Sequence, residues 1–264
     1  NLRDFGKYNS VQLNDTHPVL AIPELMRLLM DDNGLSWDDA WAVVQQTFAY
    51  TNHTVLAEAL ETWEVSIFSK LFPRILSIVQ EIDRRFRAEL AAAGWHPGKI
   101  EYMAPLSGGS VHMAWIACYA AFSINGVAAL HTEIIKRETL HDWYDIWPEK
   151  FNNKTNGVTQ RRWLNSCNIP LANLLTEELG SDAWVTDLAQ LERLIDRADN
   201  STLRRRLIEI KRSNKERFAA WIKGRQGVDI PIDAIYDVQI KRLHEYKRQL
   251  LNGMYILDLY YRLK

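Results

Sequence analysis

The sequence predicts a helix-rich α/β protein, and three observations carry that prediction. Val11-Gln12-Leu13 alternates apolar and polar and then runs through a polar loop into apolar residues at helical spacing, which reads as strand, loop, helix. Met113 to Leu130 is an 18-residue run without a charged side chain, a deeply buried segment of the kind a large α/β domain holds at its centre. Tyr236, Val238 and Ile240 alternate with Asp237 and Gln239 as a second strand, followed by a basic connector and the apolar start of another helix.

Composition removes several classes of protein. With 264 residues, 47% of them hydrophobic and 25% charged, the chain can bury a sizeable core and is not disordered. A net charge of −1 gives no general attraction to nucleic acid or anionic membranes. The only two cysteines, Cys118 and Cys167, exclude a zinc ribbon or a disulfide scaffold and point to a reducing, cytoplasmic setting. Residues 1–10 are polar and charged, with no initiator Met and no apolar signal core, and read as the cut edge of a longer chain. Met113 to Leu130 reaches the lower limit for a membrane span, but Ser123, Asn125 and Gly126 interrupt it, so a buried helix followed by an Asn-Gly turn is expected instead.

Further elements follow in order. Ile22, Leu25, Met26, Leu28 and Leu29 define the first helix. Ser36 with Asp39 resembles an N-cap, and Trp37, Trp41, Val44 and Phe48 continue one helical face. Ile67 to Leu90 reads as a long helix with Leu71, Ile75, Ile78, Val79, Ile82 and Phe86 on one side, interrupted or started by Pro73. Asn152, Asn153, Asn156 and Gly157 concentrate turn formers after Trp147 and Pro148, and the domain boundary is expected there, dividing 1–155 from 156–264. Leu171 to Leu179, Leu188 to Ile195 and Leu203 to Ile222 read as amphipathic helices, and Leu250, Leu251, Met254 and Leu257 begin a last one with Leu250 and Leu251 on its buried side.

Three polar clusters could carry chemistry. Lys241, Arg242, Lys247 and Arg248 put four fixed positive charges in eight residues, with His244 and Tyr246 among them, between the expected strand and helix. A strand's carboxyl end and a helix N-terminus both favour an anion there, and Arg and Lys suit phosphate, although a solvated basic turn has the same composition. Asn14 to Pro18 occupies the equivalent place after the first strand, where Asp15 and His17 could bind a polar ligand, or where an Asx-turn and helix cap would use the same residues. Asn52, His53 and Thr54 form a third cluster at an element end. No His pair at i, i+4 has an acidic partner, so no metal site is expected. Arg204 to Arg225 holds nine basic residues against Glu209 and Glu216, which reads as the solvated side of an amphipathic helix, with a nucleic-acid-binding module as the alternative.

Taken together, these strings resemble the α-glucan phosphorylases, the family of glycogen, starch and maltodextrin phosphorylases. The resemblance rests on Val11 to Met26 (VQLNDTHPVLAIPELM), Ala49 to Leu56 (AYTNHTVL), Asn125 to Ala128, Asn153 to Trp163 and Asp237 to Asn252, which span the chain in family order. It implies the GT-B type, a two-lobed Rossmann-like glycosyltransferase fold, with 1–155 ending the N-terminal lobe on the glucosyl side and 156–264 beginning the C-terminal lobe on the phosphate side. It also implies phosphorolysis of terminal α-1,4-linked glucose by inorganic phosphate, giving glucose 1-phosphate, with pyridoxal 5'-phosphate as cofactor. By resemblance, Lys241 contacts the cofactor phosphate, Arg242 the substrate phosphate, and Lys247 lies between the two with Tyr246 beside them. His53 faces the glucosyl residue through its backbone carbonyl, Asn156 binds a sugar hydroxyl, Asp15 and His17 line the same pocket, and Trp163 packs near the cofactor. A cytoplasmic homodimer is implied for the full-length enzyme. The family usually has Pro at the position of Gln160 and often at that of Ala57. The Schiff-base lysine and the glycine loop over the phosphate are expected outside this window, so the window alone is expected to be inactive. A nucleotide-sugar glycosyltransferase of the same fold is the alternative among enzymes.

Overall fold

The chain divides into two compact units, Asn1–Gly157 and Val158–Lys264. The computed structural model describes residues 1–56, 60–238, 240 and 248–264. Described strands are β1 (Val11–Asn14), β2 (Phe48–Thr51), β3 (Thr62–Glu64), β4 (Leu106–Ser107), β5 (Ser110–His112), β6 (Ser123–Gly126) and β7 (Phe151–Asn153), all in the first unit.

A parallel sheet in the order β1-β2-β6-β7 organises that unit. Parallel neighbours need crossovers, and helices supply them: Ala21–Arg27 and Trp37–Thr47 between β1 and β2, and Ala129–Ile134 and His141–Ile146 between β6 and β7. Pairing sets two transverse rows. Leu13, Tyr50, Ile124 and Phe151 stand side by side and are all buried, whereas one position further on Asn14, Thr51, Asn125 and Asn152 form a polar row at the carboxyl edge. The period-2 alternation of the strands thus separates core from site.

The core spreads from the sheet to the helices Pro73–Ala92 and Met113–Ala120, the latter buried along its whole length. The charge-free run is therefore buried from Met113 to Ala121, while Phe122 and Leu130 at its far part are exposed, and among the described residues no helix is long and apolar enough to cross a membrane. A small antiparallel sheet, β3-β5-β4, flanks it. Its β4–β5 hairpin turns on Gly108 and Gly109, at φ 55° and 75°, the left-handed pair that a two-residue hairpin loop requires.

Several elements differ from the sequence reading. Asn125-Gly126 ends strand β6 and does not make a turn, and Asn152-Asn153 lies in β7; in both, neighbouring parallel strands pair with backbone that isolated turn propensity would bend. The 67–90 run, by contrast, is interrupted at Pro73 as expected: it divides into Val65–Leu71 and Pro73–Ala92, with Pro73 in the first turn of the second. Phe48 opens β2 and does not extend the helix before it, while Ser36 does cap that helix, its hydroxyl accepting from Asp39 N at 3.2 Å.

The second unit is helical. Trp184, fully buried, packs with Ala172 and Leu179 and donates through Nε1 to Thr176 Oγ1 at 3.0 Å. Helix Ile169–Leu179 stops at Gly180, φ 71°, and the 26-residue helix Ser201–Gln226 starts on Asn200, whose Oδ1 accepts from Thr202 N and Leu203 N. Leu188–Arg197, read as an amphipathic helix, is helical and of the 3-10 type. Tyr236, Val238 and Ile240 lie in no strand among the described residues, and Gln239 lies outside them. Leu250 and Leu251, expected on the buried side of Arg248–Leu263, are 52% and 68% exposed because nothing described covers that helix.

Candidate active site

Ligands of parallel α/β sheets collect at the carboxyl ends of the strands, and here that edge carries an unusual backbone conformation and a set of side-chain hydrogen bonds. Asp15, immediately after β1, has φ 69°, the one non-glycine residue at positive φ among those described. Its N donates to Thr51 O at 3.0 Å and its Oδ1 accepts from Thr16 N at 2.8 Å, which holds the left-handed turn in place. The Asx-type contact is present, but helix Ala21–Arg27 begins without a side-chain cap, so the loop does not serve as its N-cap.

His53, two residues past β2, is exposed, and its Nε2 lies 2.6 Å from Asn14 Oδ1. The loop beneath it is pinned by Asn52, which is fully buried: its N donates to Asn125 O at 3.0 Å, its Nδ2 to Tyr50 Oη at 3.2 Å, and its Oδ1 accepts from Thr54 N at 3.0 Å. Burial pushes the Tyr50 phenol well above its ordinary value, so it stays a neutral hydroxyl. Thr51 Oγ1 donates to Asn125 Oδ1 at 2.8 Å and accepts from Gln12 Nε2 at 2.6 Å, tying β1, β2 and β6 together across the polar row.

At the end of β6, Val127 N donates to His131 Nδ1 at 3.0 Å, while Val127 O accepts from Asn156 N at 3.1 Å. Lys154 N donates to Gly126 O at 3.1 Å, so the chain leaving β7 folds back over β6 and brings Asn156 to the same edge through its backbone. Burial lowers the His131 imidazole pKa, with a backbone contact to Thr54 opposing and the charge of His53 adding to the effect. Gly126 is required here: a Cβ would stand 2.5 Å from Thr132 Oγ1 and 2.9 Å from Thr132 Cα.

His17 lines a mostly apolar cavity of about 230 Å³ together with Glu61, Trp63, Phe68 and Met113. Both oxygens of Glu61 are held, Oε2 accepting from Thr16 Oγ1 at 2.9 Å and Oε1 from Trp63 Nε1 at 2.8 Å. The edge thus carries Asp15 and His53 and holds Asn156 by its backbone amide, while His17 lines the cavity beside Glu61. Glu61 and His131 escaped the sequence reading because neither stands in a polar cluster; only the fold brings them here.

Lys241, Arg242, Tyr246 and Lys247 are outside the described residues, as is Ala57. Trp163 belongs to the second unit, on the π-helical turn Arg161–Ser166, and is 71% exposed. Gln160, just before it, is buried and donates through Nε2 to Val185 O at 2.9 Å, a bond that a proline there could not make.

Comparison with known proteins gives a consistent picture. The family model for carbohydrate phosphorylase matches residues 1–264. Similar relatives include glycogen phosphorylase 2 of Dictyostelium discoideum, 46% identical over 99% of this chain and 27% of its own length. The alpha-glucan phosphorylase H isozyme of Vicia faba is 46% identical, over 100% of this chain and 32% of its own length. For the muscle form of glycogen phosphorylase of Mus musculus the identity is 46%, over 97% and 31%. The chain spans between about a quarter and a third of the length of these relatives.

Proposed function

We propose that this chain, which belongs to the carbohydrate phosphorylase family, forms the sugar-facing edge and the phosphate-binding connector of an enzyme that cleaves terminal α-1,4-linked glucose from a glucan with inorganic phosphate. The observation that carries the reading is the Asn14–His53 pair beside the strained Asp15 at the carboxyl edge of a parallel sheet. A sugar needs several donors and acceptors held at fixed angles, and this edge offers an exposed imidazole, a carboxylate and carboxamides on rigid strand ends.

In this reading His53 presents its backbone carbonyl to the glucosyl carbon, where a carbonyl dipole favours developing positive charge. Asn156 binds a sugar hydroxyl, and Asp15 and His17 line the pocket. Arg242 and Lys247 bind the attacking phosphate, for which a guanidinium fork and a mobile ammonium are suited. The connector's donor set, four cations in eight residues, also fits the phosphate of pyridoxal phosphate, with Lys241, Lys247, Tyr246 and Trp163 as the residues that would hold it. When bound, that cofactor supplies a second phosphate group beside the substrate's. The two units correspond to parts of the two lobes of a GT-B fold, the whole enzyme being a cytoplasmic homodimer.

The test is release of glucose 1-phosphate from a glucan and inorganic phosphate by the enzyme that carries this chain, with bound pyridoxal phosphate measured alongside. Phosphate-dependent release supports the reading. Binding of UDP-glucose without phosphorolysis would replace it with a nucleotide-sugar transferase.

A further inference from the structure

We propose that Asn14 is a positioning residue that sets the tautomer of His53 and thereby decides which ring nitrogen is offered to a ligand. The inference rests on the reading of His53 as a sugar-facing group and adds to it the residue that orients it. An amide oxygen can only accept, so the 2.6 Å contact from Asn14 Oδ1 keeps a proton on His53 Nε2. In the neutral ring Nδ1 then carries a lone pair and accepts a hydrogen bond, the complement of a hydroxyl donor.

Both partners are held rigidly, which a tautomer lock requires. Asn14 is the last residue of β1, paired in register with Thr51, and the next residue is fixed to Thr51 O by the Asp15 amide at 3.0 Å. His53 is flanked by the buried Asn52, whose side chain bonds Tyr50 and Thr54 on either side of it. His131, which accepts from Val127 N just past the end of β6, couples electrostatically to His53, and burial lowers its imidazole pKa. Nδ1 can accept only in the neutral imidazole, so that is the form in which the lock acts.

The experiment is long-range ¹H–¹⁵N correlation NMR of the ¹⁵N-histidine-labelled chain at about pH 8, where an ordinary imidazole is neutral, with His53 assigned through His53→Gln. The expected result is a single Nε2–H tautomer for His53, retained in Asn14→Asp with a pKa raised by on the order of one unit, and a mixture of tautomers in Asn14→Leu. An Nδ1–H signal in the parent chain would mean that the amide donates, and an unchanged single tautomer in Asn14→Leu would mean that Asn14 sets nothing; either overturns the lock whatever the function of the edge. The enzyme that carries this chain provides the second arm. There Asn14→Leu should lower kcat/KM for the glucan roughly 10-fold or more, while Asn14→Asp, which keeps the acceptor, recovers activity as pH rises above the raised imidazole pKa. A tautomer that changes while kcat/KM does not would leave the lock standing, end the positioning role, and remove His53 Nδ1 from the sugar site.

Discussion

Asn52 Nδ2 donates to Tyr50 Oη across 3.2 Å, and both residues are fully buried under the edge that carries His53. The same carboxamide holds Thr54 N at 3.0 Å, so one side chain satisfies a phenol and a backbone amide on the two flanks of the loop. Asn52→Leu should leave both without partners and cost about 2–4 kcal/mol. Urea unfolding of the variant measures this, and a loss below about 0.5 kcal/mol would mean that the loop is held by something other than Asn52.

Gly126→Ala tests how tightly β6 meets the following helix. The added Cβ has backbone as well as a side chain in its way, since Thr132 Cα would lie 2.9 Å from it. Helix Ala129–Ile134 must shift, at about 1–3 kcal/mol, and the Val127 contacts to His131 and Asn156 shift with it. Thermal unfolding gives the first effect; loss of glucan affinity in the enzyme that carries this chain gives the second.

Acid should weaken the first unit in two separate windows. The His131 pKa is lowered in the fold, so the unfolded chain takes up the proton first, and the stability present above about pH 6.5 is lost as pH falls through that value toward the lower folded one. Glu81 is held at about 2 by hydrogen bonds from Arg84 and Arg85, and its contribution is lost only as pH falls from about 4.3 toward that value. Melting temperature between about pH 7 and pH 5 should therefore fall less steeply in His131→Gln than in the parent chain. Equal slopes would contradict the assignment.

The basic connector makes a sharper contrast. Arg242, which the family resemblance gives to the transferring phosphate, should lose roughly 30- to 1000-fold in phosphorolysis rate on replacement by Ala in the enzyme that carries this chain. Arg248, exposed at the start of the last helix, should lose less than about 1 kcal/mol of stability and little rate. Rates against phosphate concentration, with cofactor content checked in both variants, decide it, and equal losses would move the phosphate to the other side of the connector.

What was legible in the sequence follows from which forces are local. β1 and the cap at Ser36 were readable because alternation and a Ser-x-x-Asp spacing act within a few residues. Asn125-Gly126 and Asn152-Asn153 misled because the pairing that straightens them comes from strands far away in the chain. Within the candidate site, Asp15, His17 and His53 stood in visible polar clusters. Glu61 was invisible because its value lies in Thr16 and Trp63 reaching it, and His131 because it acts through the Val127 amide.

A crystal structure of the enzyme that carries this chain, with glucose bound, tests the sugar edge directly. The sugar is expected at the carboxyl edge of β1, β2 and β6, with His53 and Asn156 both within about 3.5 Å of its oxygens and the Asn14–His53 pair intact. Glucose bound at another surface, with His53 still paired to Asn14 and facing solvent, would contradict it.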